Sequence, residues 1–285
     1  MGLTESQTMP ELPEVETVVR GIAPHLKKHR ITRVELRRPD LRMPFPAGFK
    51  KRLEGAAITT ISRRAKYILI GLDTAETLVI HLGMSGSLMF REQPFKKHDH
   101  VIFTLDNGKK LVFNDPRRFG LMDLVEDIHS HKLFKHLGVE PLSEAFNSVT
   151  LGASLKTRSG PIKTAIMDQK VVVGVGNIYA SESLFQAHIS PLRKASSLKK
   201  SEISALCKGI KNVLELAIKS GGSSIKDFVQ SSGNPGYFQH RFEVYGRANK
   251  PCLCAAKHGT LKLTPLVKKI TQQGRATYYC SNCQK

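Results

Sequence analysis

The feature that most constrains the fold is a change of hydrophobic period partway along the chain. From Ile31 to about Val125 the apolar residues come in short β-rich runs split by turns: TRVELR, AAITTISRR, YILIGL, TLVIHLG and HVIFTLDNGKKLVFN. Such runs, bounded by turn residues, predict strands. Asp106–Asn107–Gly108 inside the last run predicts a hairpin, because these residues tolerate the left-handed backbone of a tight turn. From about Ser143 to Gly221 the pattern turns helical, as in SEISALCKGIKNVLELAIKSGG, and Gly221–Gly222 end that helix. GVGNIYASE (Gly174–Glu182) reads as a turn opening a helix. Ahead of the strands, Val15, Val18, Val19, Ile22 and Leu26 share one face of a helix running from about Leu12 to Lys27. The class is therefore α+β. Strands of this number and length suggest a β-sandwich or flattened barrel behind an N-terminal helix.

The 285 residues suggest about two domains, and a hydrophobic fraction of 40% is enough for real cores. Lys plus Arg number 44 against 24 Asp plus Glu, a net charge of +20 spread along the chain. On a folded chain that points to a polyanion, with nucleic acid as the expected partner. No run approaches the roughly 18 apolar residues of a membrane span. The first nine residues lack the basic and apolar regions of a secretory signal, so a cytoplasmic location with reduced thiols is expected.

A second constraint is chemical. The stretch MPELPEVETVVRGI, Met9 to Ile22, sets a proline directly behind a second methionine. If translation starts at Met9 and that residue is removed, Pro10 presents a secondary amine. An α-amino group titrates near pH 8, so a useful fraction is neutral and able to form an iminium with an aldehyde-like carbon. Glu11 and Glu14 set two carboxylates beside it that could move protons. Taken alone, these residues are also ordinary helix N-terminal chemistry. Residues 1–8 are polar and patternless, either a disordered tail or a misread start.

Four of the five cysteines, Cys252, Cys254, Cys280 and Cys283, lie near the C-terminus, which in a reducing compartment favours metal over disulfides. Cys280-x2-Cys283 is an intact knuckle. Cys252-x-Cys254 is one residue short, and His258 follows at a ligand-like spacing. Three readings stay open: four-cysteine zinc with a distorted first knuckle, zinc with His258 replacing Cys252 or Cys254, or no metal. Cys207 lies in an apolar helical pattern and reads as a small core residue.

PELPEVETVVRGI resembles the start of the formamidopyrimidine-DNA glycosylase family of bacterial base-excision enzymes. The resemblance continues through RRAKYILI (Arg63–Ile70), HLGMSGSL (His81–Leu88), KHDHVIF (Lys97–Phe103), NDPRRFG (Asn114–Gly120), LGVEPL (Leu137–Leu142), VVVGVGNIYASESLFQAHISPLR (Val171–Arg193) and GRATYYCSNCQK (Gly274–Lys285). It covers Met9 to Lys285, and eight such strings in order are highly specific. It implies a β-sandwich domain behind an N-terminal helix, a helix-two-turn-helix domain and a C-terminal zinc-ribbon hairpin, with DNA bound in the cleft between. The expected divisions are 1–9 as an extension, 10–142, 143–244 and 245–285.

The resemblance implies excision of 8-oxoguanine and ring-opened purines from damaged double-stranded DNA, with apurinic/apyrimidinic lyase activity. Its residues carry over to Pro10 as nucleophile, Glu11 as acid/base and Glu14 as supporting carboxylate. Lys66 and Arg275 would contact phosphate and assist β- and δ-elimination. Met84, Arg118 and Phe119 would fill the space left by the extruded base, although from the sequence alone Met84 and Phe119 read as core. His98, Arg117, Lys163 and Asn177 would contact DNA, and Ser231–Phe242 resembles a mobile loop over the extruded base. One structural Zn2+ per chain is implied, as is a monomer in the bacterial cytoplasm, at the nucleoid. The alternatives are an endonuclease VIII-like glycosylase for oxidised pyrimidines, disfavoured by PELPEVE, and a catalytically inactive DNA-binding paralogue.

Overall fold

The structure, a computed structural model, describes residues 9–223, 237–254 and 265–285. It divides into two compact units. One holds residues 9–135 with 220–223 and Tyr237, and the other holds residues 136–219, 238–254 and 265–285.

The first unit opens with helix α1, Leu12–Leu26. Pro13 sits in its first turn, where a missing N–H costs nothing, and Glu14 reaches back to the Glu11 N–H in a capping-box arrangement. Strands β1 (Ile31–Leu36), β2 (Ile58–Arg64), β3 (Tyr67–Leu72), β4 (Thr77–His81), β5 (Ser87–Phe90), β6 (Asp99–Leu105), β7 (Lys110–Asn114) and β8 (Leu121–Val125) follow, with a short helix α2 (Phe49–Leu53) after β1. They form two four-stranded sheets, β1-β6-β7-β5 and β2-β3-β4-β8, and every pairing within them is antiparallel. Ile68, Ile80 and Met122 of one sheet join Val34, Phe103 and Phe113 of the other in a single apolar core. Val15, Val18, Val19, Ile22 and Leu26 of α1 pack into the same core, as their spacing predicts. Ile22 is wholly buried there, so truncating it to alanine would cost roughly 2–5 kcal/mol. The expected sandwich is present, and Asp106–Asn107–Gly108 turns the β6–β7 hairpin.

The second unit is helical: α3 (Ser148–Leu155), α4 (Ile162–Met167), α5 (Asn177–Gln186) and α6 (Lys200–Lys219), followed by the hairpin β9 (Lys268–Gln272) and β10 (Arg275–Tyr279). Asn147 caps α3 by accepting the Val149 and Thr150 N–H groups at 3.0 and 3.1 Å. Helix α6 buries Leu206, Ile210, Val213, Leu214 and Ala217 on one stripe, with Cys207 among them. It ends before Gly221–Gly222, and α5 begins directly after the glycine-rich turn, both as expected. A separate small core joins Phe185, Val244 and Val267 to Cys252, Cys254 and Cys280. Among the described residues, no helix is long and apolar enough to cross a membrane.

Candidate active site

The head of α1 carries Pro10, Glu11 and Glu14, all buried. Glu14 fixes them. One carboxylate oxygen accepts the Glu11 N–H at 2.9 Å, and the other accepts both the N–H and the hydroxyl of Ser223 at 2.8 Å. Gly222 makes that approach possible: its φ is +77°, and an added Cβ would lie 3.3 Å from the Glu14 carboxylate. Charge-assisted bonds of this kind are short and about twice as strong as neutral ones. Glu14 therefore acts on backbone position, while the Glu11 side chain closes the same capping box toward the Glu14 N–H. Ser223 has no motif that marks it, and the sequence separates it from Glu14 by 209 residues.

Lys66 sits at the turn between β2 and β3, where Arg64 pairs with Tyr67 and Ala65 takes φ +53°. The turn is braced from two sides. Arg63 donates to the Ala65 carbonyl at 2.9 Å and to Glu16 of α1 at 3.0 Å. Burial works against the charge on Glu16, yet the hydrogen bonds from Arg20 and Arg63 hold its carboxyl below the usual range. The lysine turn is thus tied to the helix that carries Pro10, Glu11 and Glu14. Behind it, His81 lies opposite Tyr67, ring centroids 4.9 Å apart. Burial, with the nearby Lys66 and Arg42 charges, pushes its imidazole down to about 4. At neutral pH the ring is uncharged, and its Nδ1 accepts the Gly83 N–H at 3.0 Å.

Three side chains stand on two loops of the same unit. Phe119 is 43% exposed, unusual for so large an apolar residue, and Arg117 lies over its ring at 5.0 Å. Arg118 is exposed and Met84 half-buried. The core placement that sequence alone suggested for Phe119 and Met84 is thus not what the fold adopts. His98 is half-buried, its ring 6.0 Å from that of His100.

In the second unit, Asn177 opens α5 and Arg275 opens β10, exposed beside the Gln273–Gly274 turn. Lys163 is 1% exposed. Its ammonium donates to the Asn177 side chain, to Thr277 Oγ1 at 2.7 Å and to the Ala276 carbonyl at 3.1 Å. Those acceptors match its three donors, so it orients Asn177 and the strand bearing Arg275 from within. Asn177 also donates to the Tyr245 hydroxyl at 3.4 Å. Glu182, completely unmarked as a site by sequence, accepts the N–H groups of Glu243, Val244 and Tyr245 at 2.7–3.0 Å. It pins the segment leading to the cysteines. Within the loop resemblance, residues 231–236 lie outside the described residues; Phe238, just after them, is buried 5.8 Å from the Tyr179 ring.

The four cysteines converge. The sulfurs of Cys252, Cys254, Cys280 and Cys283 all lie within 4.8 Å of one another, the first three residues buried. A tetrahedral S4 site with metal–sulfur bonds of about 2.3 Å needs sulfurs about 3.8 Å apart, so the set fits a metal ion. The Cys254 and Cys283 sulfurs touch, but their Cα atoms are 7.0 Å apart, wider than the roughly 4.4–6.8 Å of a disulfide. The short Cys252-x-Cys254 spacing does not keep either thiol out of the cluster. His258 lies outside the described residues.

Residues 9–122 match the model of the formamidopyrimidine-DNA glycosylase N-terminal domain, and residues 137–229 match that of the same family's H2TH domain. Formamidopyrimidine-DNA glycosylases of Dinoroseobacter shibae and Ruegeria pomeroyi are each 49% identical to the chain, over 97% of it and 100% of their own length. The crystal structure of the MutM (Fpg) protein of Thermus thermophilus is similar with a TM-score of 0.84 and 38% identity, covering 96% of this chain and 98% of that one. A Lactococcus lactis Fpg mutant in complex with a Fapy-dG containing DNA is similar with a TM-score of 0.87 and 32% identity, over 97% and 100%. With sequence and fold agreeing over nearly its whole length, the chain belongs to the formamidopyrimidine-DNA glycosylase family.

Proposed function

We propose that this chain is a base-excision DNA glycosylase that removes oxidised purines, 8-oxoguanine and formamidopyrimidines, from duplex DNA and then cleaves the strand as an apurinic/apyrimidinic lyase. The observation that carries the reading is the buried Pro10–Glu11–Glu14 head of α1, held by Glu14 to Ser223. The names of its bacterial relatives and the damaged DNA in the Lactococcus structures support it.

The chemistry follows from an amine on C1′. The Pro10 nitrogen forms a bond to C1′ as the glycosidic bond breaks and the base leaves with a proton. Opening of the sugar, with Glu11 supplying the proton to its ring oxygen, leaves an iminium. The iminium acidifies C2′. Loss of that proton expels the 3′ phosphate, and a second elimination expels the 5′ phosphate. Each step needs the Pro10 lone pair, so the active form begins at Pro10. While Met9 remains attached, that nitrogen is held in the Met9–Pro10 peptide bond.

Lys66 and Arg275 serve as phosphate contacts that favour the two eliminations, and His98, Arg117 and Asn177 bind the DNA strand. Lys163 acts through Asn177 and β10. Met84, Arg118 and Phe119 occupy the stack once the lesion has left it. The four-cysteine cluster holds one structural Zn2+, which supplies folding energy to the hairpin and takes no part in the reaction. The divisions at 10–142, 143–244 and 245–285 are read as catalytic, DNA-binding and zinc modules. The protein acts as a monomer in the bacterial cytoplasm, at the nucleoid.

Incision of defined duplexes tests the substrate. Protein beginning at Pro10 is expected to cut 8-oxoguanine opposite cytosine well ahead of an oxidised pyrimidine. The reverse ranking would favour the pyrimidine-specific sister enzyme, and binding without incision would favour an inactive paralogue.

A further inference from the structure

Met84 and the Arg118–Phe119 pair lie on separate loops, after β4 and after β7, and one buried carboxylate joins those loops. Asp115 is 0% exposed. Its Oδ1 accepts the Ser85 hydroxyl at 2.7 Å, and its Oδ2 accepts the Gly120 N–H at 2.8 Å. Ser85 follows Met84, and Gly120 follows Phe119. Each oxygen therefore holds the residue next to an inserting side chain.

The cross-linking goes further. Ser85 Oγ, having donated to Asp115, accepts the Arg117 N–H at 3.2 Å. The Asp115 carbonyl accepts the Arg118 N–H at 3.3 Å and lies 2.9 Å from His100 Nε2. The Asp115 N–H donates to the His98 carbonyl at 3.0 Å. One residue thus touches the backbone or neighbours of His98, Met84, Arg117, Arg118 and Phe119. Backbone packing adds to this. Gly83 has φ +67°, and a methyl group there would run into the backbone of Phe119 and Gly120. Arg118 holds φ +58°, a left-handed conformation that a non-glycine residue keeps only where its surroundings over-determine it.

We propose that Asp115 is a positioning residue that locks the two loops into one pre-formed wedge, so that Met84, Arg118 and Phe119 enter the base stack together. This rests on the wedge assignment made above. Ordering two loops at the moment of base extrusion would add to the cost of unstacking, and the buried carboxylate meets that cost during folding instead. Asp115 therefore governs extrusion of a paired base and leaves the amine chemistry alone.

The test compares two substrates in single-turnover kinetics. One is a duplex with 8-oxoguanine opposite cytosine and 2-aminopurine beside the lesion; the other is a duplex with a preformed abasic site, which has no base to extrude. Asp115→Asn keeps the shape but loses one acceptor. It is expected to slow excision and the 2-aminopurine signal by about 30-fold or more, while abasic-site cleavage falls less than about threefold. Ser85→Ala, which removes one arm of the clamp, should show the same pattern at about three- to tenfold, and it decides the matter if Asp115→Asn does not fold. Phe119→Ala combined with Asp115→Asn should be little worse than either alone, because Asp115 acts by placing Phe119 and has less to place once the ring is gone.

Equal losses on both substrates, or additive losses in the double variant, would overturn the proposal. Full excision by Phe119→Ala would overturn the wedge assignment and the proposal with it. A wild-type protein that neither excises nor forms a borohydride-trapped adduct would instead break the functional reading on which both rest.

Discussion

In the sandwich unit, Glu11, Lys66 and Phe119 stand on backbone fixed by a large apolar core, in which helix α1 and both sheets share one cluster. In the helical unit, Arg275 stands on a two-stranded hairpin whose core is small and half cysteine. The first unit holds the backbone under these residues on a large core and a set of hydrogen bonds. The hairpin has far less, and modules with so small a core usually rely on a metal or a staple. A buried ammonium, Lys163, and a buried carboxylate, Glu182, do for the second unit part of what the core does for the first.

The most far-reaching expected effect follows from that contrast. Stripping the metal, or Cys280→Ser, should unfold the hairpin and cut DNA affinity by about 100-fold or more, because structural zinc supplies folding free energy of order 10 kcal/mol. The sandwich unit should keep its amide protection in hydrogen exchange. Full affinity after chelation, with well under one metal per chain, would show that the hairpin is held by packing and would erase the contrast.

Within the sandwich unit, chemistry and binding should separate. Glu11→Gln keeps size and removes the proton carrier. Excision should fall by about 10²–10⁴ while lesion-DNA affinity changes less than about threefold. Parallel losses in a binding titration and a single-turnover assay would mean that Glu11 is a structural cap only.

The two units should also answer pH in opposite directions. Burial pushes the Glu182 carboxyl up to about 7, against the pull of its three N–H donors. The folded state then holds a proton that the unfolded chain, with its carboxyl at 4.5, has given up. Its contribution is present below 4.5 and lost as pH rises to 7. His81 is the converse. With its folded value near 4 against 6.5 unfolded, its contribution is present above 6.5 and lost as pH falls toward 4. Each slope is up to about 1.4 kcal/mol per pH unit. Subtracting the denaturant stability of Glu182→Gln and of His81→Gln from wild type across that range should give slopes of opposite sign. The same sign for both would contradict the assignment.

How far the sequence carried the reading also differs between the units. The α1 face, the β6–β7 hairpin and the glycine turn before α5 are local patterns and were legible. Strands β5 and β8 and helix α2, each four or five residues long, were not marked, whereas β7, equally short, was legible because the Asp106–Asn107–Gly108 turn announces it. The clamps were invisible for a different reason. Glu14–Ser223 and Glu182–Val244 join residues 209 and 62 apart, and nothing in either local string announces the partner. The motif resemblance placed Lys163 near DNA; only the fold reveals that its ammonium is turned inward.

The smallest expected effect is at Lys66, in the turn between β2 and β3. Lys66→Ala removes one phosphate partner, so the slope of log affinity against log salt should fall by about 1. An unchanged slope would leave Lys66 with a role in elimination alone.

The most direct test of the account is where the sugar attaches. Protein whose intact mass establishes Pro10 as the first residue is incubated with 8-oxoguanine duplex and borohydride, and the adduct is mapped by peptide mass. The account predicts a reduced sugar fragment on the Pro10 nitrogen alone, and none from protein that retains Met1. An adduct on a lysine such as Lys66, or equal trapping with Met1 in place, would contradict it.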